Sequence, residues 1–498
     1  MSCEEIKIEQ QGQQGILFQH SFTLNKSGEW LALRAVHPLA QWLQIWVKDP
    51  QGNIRMQYLG KGEENTLLLT AEPGDSTCGS VPGAVPAGQW SVQVLAVNRE
   101  SAPSYSLHIQ SGEGTPGIEG TLHPVGSRLW SGLPAASGAL NYELYDWNRV
   151  HSTEARWYRG DFHMHTRLTD GKQTAEELNA QAVRQGLDFI VVTEHNFLTT
   201  GWPDTNLLVI PGVEITSSQG HCNILGIRSW IDWIGEGGAP AFETSAGMEA
   251  ILAEARSQGA VCSLNHPELA PWDWQLDVRL DVFDTIEIWN DPTFPDNEKA
   301  TEEALKLWDM LWKHGVTLWG IGGSDTHNLP HESYVPDGPP SLVGDPVTWV
   351  WSEELSVHGI LNAVRGGRSC VTRGPVLEPR LYANERIYRP GDQVRHEGQS
   401  NSLVHYDYEL RVEDAGEGSY IRWMVDGVEA GLTGCGKGGD YTYSFTWPSG
   451  EYHFIRAEIR DSAGGLLAFT NPVYQGTPVP KLSTWGELKV QMQIKNMR

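Results

Sequence analysis

Residues 188–195 read DFIVVTEH, a short apolar run rich in β-branched side chains that ends on a carboxylate and an imidazole. The same arrangement recurs downstream. LLVIPGVEIT (207–216) carries Glu214 near its end, and AVCSLN (260–265) ends on Asn265 and runs into His266 and the chain-breaking Pro267. TIEIW (285–289) carries Glu287 and is followed by Asn290, and TLWGIG (317–322) leads to Asp325 and His327. Each run has the length and composition of a buried strand. Helical patterns at 174–186, 247–259, 296–315 and 356–368 separate them, and three of these stop at Gly186, Gly259 and Gly315, where a left-handed cap is expected. The segment from 296 opens acidic and closes on Lys313 and His314, so His314 reads as a partner of the helix dipole rather than a ligand. Strand–helix alternation predicts an α/β unit with a parallel sheet, open or closed into a barrel. A barrel of this kind gathers its functional side chains at the C-terminal ends of its strands, where all these residues fall.

Upstream, GDFHMHT (160–166) places His163 and His165 two residues apart. If 157–165 is one strand, both imidazoles share a face, Phe162 and Met164 take the apolar face, and the pair is half a metal site. A capping Asp, a satisfied core His or a surface Glu explains any one of these residues alone. Six placements in one order are better explained by a shared site. Imidazoles and carboxylates, with no cysteine among them, suit zinc, manganese or iron(II). A water shared between two such cations loses a proton near neutral pH and becomes a nucleophile.

The flanks read differently. Residues 30–36, 42–47 and 90–97 alternate with period two and are split by turn signals, and the pattern returns at 404–412, 420–425, 441–447 and 452–459. Both suggest β-sandwiches. The organisation expected is a β-sandwich domain (1–125), a linker (126–154), the catalytic unit (155–374), a second β-sandwich (375–477) and a tail (478–498). A chain of 498 residues exceeds what one core normally serves. The net charge of −26 disfavours long nucleic acid as a partner. The first residues, MSCEEIKIEQQGQQG, lack a basic and an apolar region, and no apolar run is long enough to span a membrane. The six cysteines are scattered, as in a reduced, cytoplasmic protein.

The motifs HMHTRLTDG, VVTEHN, PGVEIT, GHCNILG, LNHP, EIWN and GGSDTH together resemble, in order, those of the polymerase-and-histidinol-phosphatase (PHP) superfamily, over about residues 155–375. Within it they look most like the carbaryl-hydrolase-type metallohydrolases. The resemblance implies a distorted seven-stranded β/α barrel holding two to three divalent metal ions (Zn, Mn or Fe). By position, His163, His165, Glu214 and Asp325 would hold the first ion. Glu214 would bridge to a second held with His266 and His221, and Asp170, His195 and His327 would hold a third. Where the family has Thr-Asp-His, this chain has Thr193-Glu194-His195, so Glu194 is expected to orient ligands, with an altered reach, as Asn265 is.

The function expected is a metal-dependent hydrolase of a small-molecule ester, a phosphoesterase using a metal-bound hydroxide, with His163, His165, Glu214, His266, Asp325 and His327 at the chemistry. Carboxylester or carbamate hydrolysis on the same site is the alternative, and a non-catalytic, sandwich-type binding protein is the other. Arg167, Arg373, Glu287 and Asn290 are candidates for substrate contact, and Trp230, Trp233, Trp272, Trp274 and Trp289 for an aromatic wall. His331, after the last motif, is a weaker candidate for substrate contact. The sequence leaves the oligomeric state open.

Overall fold

The strands foreseen in the middle third lie in one sheet together with three that were not foreseen, at 220–225, 347–352 and 369–372. In chain order they are β1 (Arg156–Asp161), β2 (Phe189–Val192), β3 (Leu208–Ser217), β4 (Gly220–Leu225), β5 (Val261–Leu264), β6 (Thr285–Asn290), β7 (Trp319–Gly323), β8 (Val347–Ser352) and β9 (Ser369–Thr372). Their spatial order is β7-β6-β5-β4-β3-β2-β1-β8-β9. The computed structural model describes the chain except residues 1–2, 12–14, 39–40, 62–65, 97–102, 119, 121, 125, 127, 132–139, 236–238, 396–401 and 497–498. Just past their last residues, the two ends of the run β1–β7 meet: Met164 bridges Thr326 in parallel, Asp325 N–H donates to His163 O (2.8 Å) and His165 N–H to Thr326 O (3.2 Å).

The sheet is mixed, which corrects the expectation of a parallel one. The pairs β1–β2, β2–β3, β5–β6 and β6–β7 are parallel. β3–β4, β4–β5, β1–β8 and β8–β9 are antiparallel. The cause is a tight turn at 217–220, with Gly220 at φ 120°, that folds the motif GHCNIL back along β3 as its hairpin partner.

The helices are α1 (Ala175–Arg184), α2 (Ser245–Ser257), α3 (Asn297–Lys313), α4 (Val357–Arg365) and α5 (Trp485–Asn496). Thr174 caps α1 in a full capping box with Glu177, and Thr244 and Ser356 cap α2 and α4 through their hydroxyls. His314 is the C-cap residue of α3. Apolar faces of α1, α2 and α3 fill one core with the strands, including Leu178, Leu252, Trp308 and Trp312, and α4 places Val357 and Ile360 in another with Tyr158 and Val191.

The N-terminal part forms two four-stranded sheets. One orders Glu4–Gln10, Tyr105–Gly112, Trp30–Val36 and Thr66–Thr70; the other orders Leu17–Leu24, Gly88–Ala96, Trp42–Lys48 and Ile54–Lys61. Both contribute to one apolar core, with Leu33 and Ile109 from the first and Ile45, Trp90 and Val94 from the second. In the C-terminal part, one sheet (Arg386–Tyr388, Val376–Ala383, Leu403–Glu413 and Gly438–Pro448) shares a core with strands that continue the central sheet. That continuation runs from β9 through Leu466–Thr470 and His453–Arg460 to Tyr420–Val425. The segment read as a tail holds α5, and Leu482, Trp485 and Leu488 are buried in the central core. No helix among the described residues is long and apolar enough to cross a membrane.

Candidate metal centre

The β1 ladder stops at Asp161, so His163 and His165 lie beyond it, which corrects the reading of 157–165 as one strand. Asp161 ends the ladder by turning its buried carboxylate to three backbone N–H groups: His163 (3.1 Å), Ser324 (3.0 Å) and Gly344 (2.7 Å). Burial still raises its pKa, to about 6. The alternation persists past the strand, with Phe162 and Met164 in apolar cores and the two imidazoles on the other side. Gly323 makes this approach possible, because a Cβ there would lie 2.5 Å from His163 Cβ.

Ten of the foreseen residues meet at this end of the sheet. Their ligand atoms form groups within 4.8 Å: His165, Asp170, His195 and His327; His163, His165 and Glu214; Glu214, His221 and His266; and His163, His266 and Glu287. Asp325 Oδ1 completes the second group, 3.3 Å from His163 Nε2 and 3.1 Å from His165 Nε2. Glu214 is central and divides its oxygens. Oε1 lies 3.1 Å from His163, 3.2 Å from His221 and 3.6 Å from His266, while Oε2 lies 2.7 Å from His195 and 3.5 Å from His165.

Several of these atoms are close without being aligned for hydrogen bonds. His163 Nε2, His165 Nε2, Asp170 Oδ1 and Asp325 Oδ1 are buried with no hydrogen-bond partner among the described residues. A buried polar atom left this way costs about 1–3 kcal/mol, so a set of N and O donors facing one another in this manner fits divalent cations. Protonation follows the same crowding. Burial opposes charge on His163, but Asp325, Glu287 and Glu214 hold its pKa well above the usual value. Burial, then the adjacent His195 and His327, push His165 down to about 3, which leaves it neutral. Burial pushes Glu214 up, but His163, His221 and His195 outweigh it and hold the carboxylate ionised.

Around the cluster, other side chains fix the ligands. Glu287 accepts from His163 Nδ1 (3.0 Å), from His266 N–H (3.1 Å) and from Asn290 Nδ2 (3.1 Å). Asn290 Nδ2 also reaches Asp325 Oδ2 (3.2 Å), and Asn265 Nδ2 donates to Glu214 Oε1 (2.9 Å). Of the residues expected at substrate, Glu287 is thus buried behind His163, which corrects its placement. Glu194 belongs to none of these groups. Its carboxylate is held by the hydroxyls of Thr166 and Thr169 and by Thr166 N–H (3.0 Å), fixing the loop that delivers Asp170. Burial raises its pKa to about 7 against those bonds.

The arginines are elsewhere. Arg167 is exposed and borders a separate small cleft beside Tyr58 and Phe197. Arg373 is tied to Asp345 (2.9 Å) and lines neither cavity at the cluster. Of the five tryptophans, Trp272 lines the site; Trp233, Trp274 and Trp289 are buried in the core and Trp230 packs on it. His331 is exposed and lines neither cavity.

Local sequence did not mark Asp161 as a junction of three segments, nor Thr166 and Thr169 as the cradle of Glu194. It also gave no sign of Gln44, whose Nε2 crosses from the N-terminal part to His195 O (3.2 Å) and Asn196 O (3.0 Å). The backbone is strained at the same place: Asn196, His266 and Asp325 have φ of 46°, 24° and 47°. Such conformations cost roughly 1–3 kcal/mol each and persist where the surroundings fix them.

No family model and no curated protein matches this chain. Among solved structures it is similar to a two-domain protein from Bacteroides vulgatus containing, by prediction, a PHP-like metal-dependent phosphoesterase (17% identity, TM-score 0.35, 66% of this chain and 99% of that one). It is also similar to an amidohydrolase from Chromobacterium violaceum with bound sulfate and no metal (14% identity, TM-score 0.22, 36% of this chain and 93% of that one). Function is read from the site itself.

Proposed function

We propose that the chain is a metal-dependent hydrolase of ester bonds, phosphoesters first, on a PHP-type barrel closed where β7 meets β1. The observation that carries this reading is Glu214, whose two oxygens each face a different set of imidazoles in a buried cluster. His163, His165, Glu214 and Asp325 would hold one divalent ion, Glu214 with His221 and His266 a second, and Asp170, His195 and His327 a third. Ions bound there supply Lewis-acid charge and acidify a water. The chain's own part is to fix the donors: Glu287 keeps His163 Nε2 turned to the cluster, Asn290 steadies Asp325, and Asn265 steadies Glu214. Carboxylester or carbamate hydrolysis is the second reading, favoured by the apolar Leu269, Trp272 and Phe294 at the cluster's edge, which suit a neutral ester.

Elemental analysis of purified protein should find about two to three transition-metal ions per chain. A chain that holds none after reconstitution would remove the basis of this proposal. His163→Ala and Asp325→Ala should each bring turnover to background with the circular dichroism spectrum unchanged. A reconstituted screen of p-nitrophenyl phosphate, bis-p-nitrophenyl phosphate and 1-naphthyl acetate separates the two readings.

A further inference from the structure

The cluster lies between two cavities. On the His195 and His221 side, one of about 400 Å³ is bordered by the N-terminal part, through Ile16, Trp42, Leu59 and Leu95. On the His266 and His327 side, a second of about 260 Å³ is walled by Leu269, Phe294 and Tyr334. Asp170, His195, His221 and Trp272 border both. Each cavity also carries a carboxylate. Glu243 in the first is held by Ser218 Oγ (2.6 Å), and Asp291 in the second by Thr293 Oγ1 (2.6 Å) and Ser341 Oγ (3.0 Å).

A reacting centre held at the cluster has room on both sides. A monoester fills one side only. Apolar walls favour burial of an apolar group, and the carboxylates disfavour an anionic one. We propose that the substrate carries an organic group on each side of the scissile centre, and that the N-terminal sheets recognise the one that is uncharged and apolar. This rests on the hydrolase reading above. The shared chemistry is a two-armed ester, a phosphodiester or a carboxylic ester. Water adds its oxygen to phosphorus or to the carbonyl carbon, the bond to the leaving oxygen breaks, and that oxygen departs as the alcohol with a proton from the water. Gln44, donating to His195 O and Asn196 O, registers the apolar wall against the ligands.

The test uses the metal-reconstituted full chain and two substrate pairs that release p-nitrophenol: methyl and phenyl p-nitrophenyl phosphate, and p-nitrophenyl acetate and phenylacetate. The pair that is turned over identifies the headgroup. Within it, the aromatic arm should raise kcat/KM by at least about tenfold. Trp42→Ala should shrink that ratio, and Trp42→Phe should preserve it, each at unchanged metal content. Independently of turnover, 1-naphthol should bind the full chain, and Trp42→Ala should weaken its Kd at least about fivefold. Faster turnover of p-nitrophenyl phosphate than of either pair, or a ratio and a Kd unmoved by Trp42→Ala, would overturn the two-armed substrate and leave the hydrolase standing. No turnover of any ester with metal bound would overturn both.

Discussion

Glu194 shows how much a single side chain can organise without touching the chemistry. Its buried carboxylate gathers Thr166 and Thr169, and those residues set the loop that ends at Asp170. Removing it should loosen that loop. Glu194→Ala is expected to lower affinity for the most weakly held metal by about 10- to 100-fold, the usual cost of losing a ligand's support. Titration calorimetry would read this, and unchanged affinity would remove the supporting role. The cysteines give a second expectation at this scale. All six are free, five are buried, and burial raises the Cys78 thiol to about 11. A thiol reagent at pH 8 should label Cys3 alone in the native protein, and six thiols after denaturation; rapid labelling of two or more in the native chain would contradict the burial. The candidate ligands His195, His266, Asp325 and His327 could be singled out in the sequence because each follows a short apolar run that reads as a buried strand, whereas Asp170 and His221 came only from the resemblance of the motifs. Asp161, Thr166 and Thr169 could not be, because a carboxylate accepting backbone N–H groups from three segments looks locally like any capping residue.

At the scale of elements, four helices and most central strands could be read from apolar runs and caps, but the direction of β4 could not. GHCNIL is six residues whose alternation suits a strand of either direction, and only the turn at 217–220 reverses it. The C-terminal helix was missed because α5 has polar residues spread around it, with little amphipathic signal beyond Trp485 and Leu488. Its docking is specific: Trp485 N–H donates to Val278 O (2.9 Å), Gly486 N–H to Asp277 Oδ1 (2.8 Å), and Lys481 N–H to His314 O (2.8 Å). Trp485→Ala leaves a cavity in the central core and should cost about 3–5 kcal/mol. Differential scanning calorimetry should show the central transition moving down by several degrees; a change confined to fraying of the terminus would leave it in place.

At the scale of the whole molecule, the central and C-terminal parts are joined by a buried ionic network. Arg456, almost fully buried, forks onto Asp309 of α3 with two bonds of 2.7 Å and reaches Glu458 at 2.7 Å, and Glu458 in turn accepts from Arg460 (2.6 Å). Asp309→Ala leaves the buried Arg456 with Glu458 but with two of its N–H groups unmet, and should destabilise by about 3–5 kcal/mol, whereas the double change Asp309→Ala with Arg456→Met should recover part of that loss. Urea melts of the three variants would show it, and strictly additive losses would mean the pair is not coupled. The net charge of −26 adds a long-range field that should disfavour polyanionic partners.

The two flanking parts are attached to the centre in different ways. The C-terminal part shares a hydrogen-bonded ladder with it, Cys370 to Thr470 and onward, whereas the N-terminal part meets it at the site through side chains such as Gln44 and Gln57. In evolutionary terms the first junction is welded and the second is bolted. A recombination event that replaced the C-terminal part would have to match strand register residue by residue. One that replaced the N-terminal part would have to match side-chain packing, including Trp46, Ile54, Val81 and Leu95 in the central core, but no shared strand register, so the wall of the pocket is separable from the cluster of histidines and carboxylates.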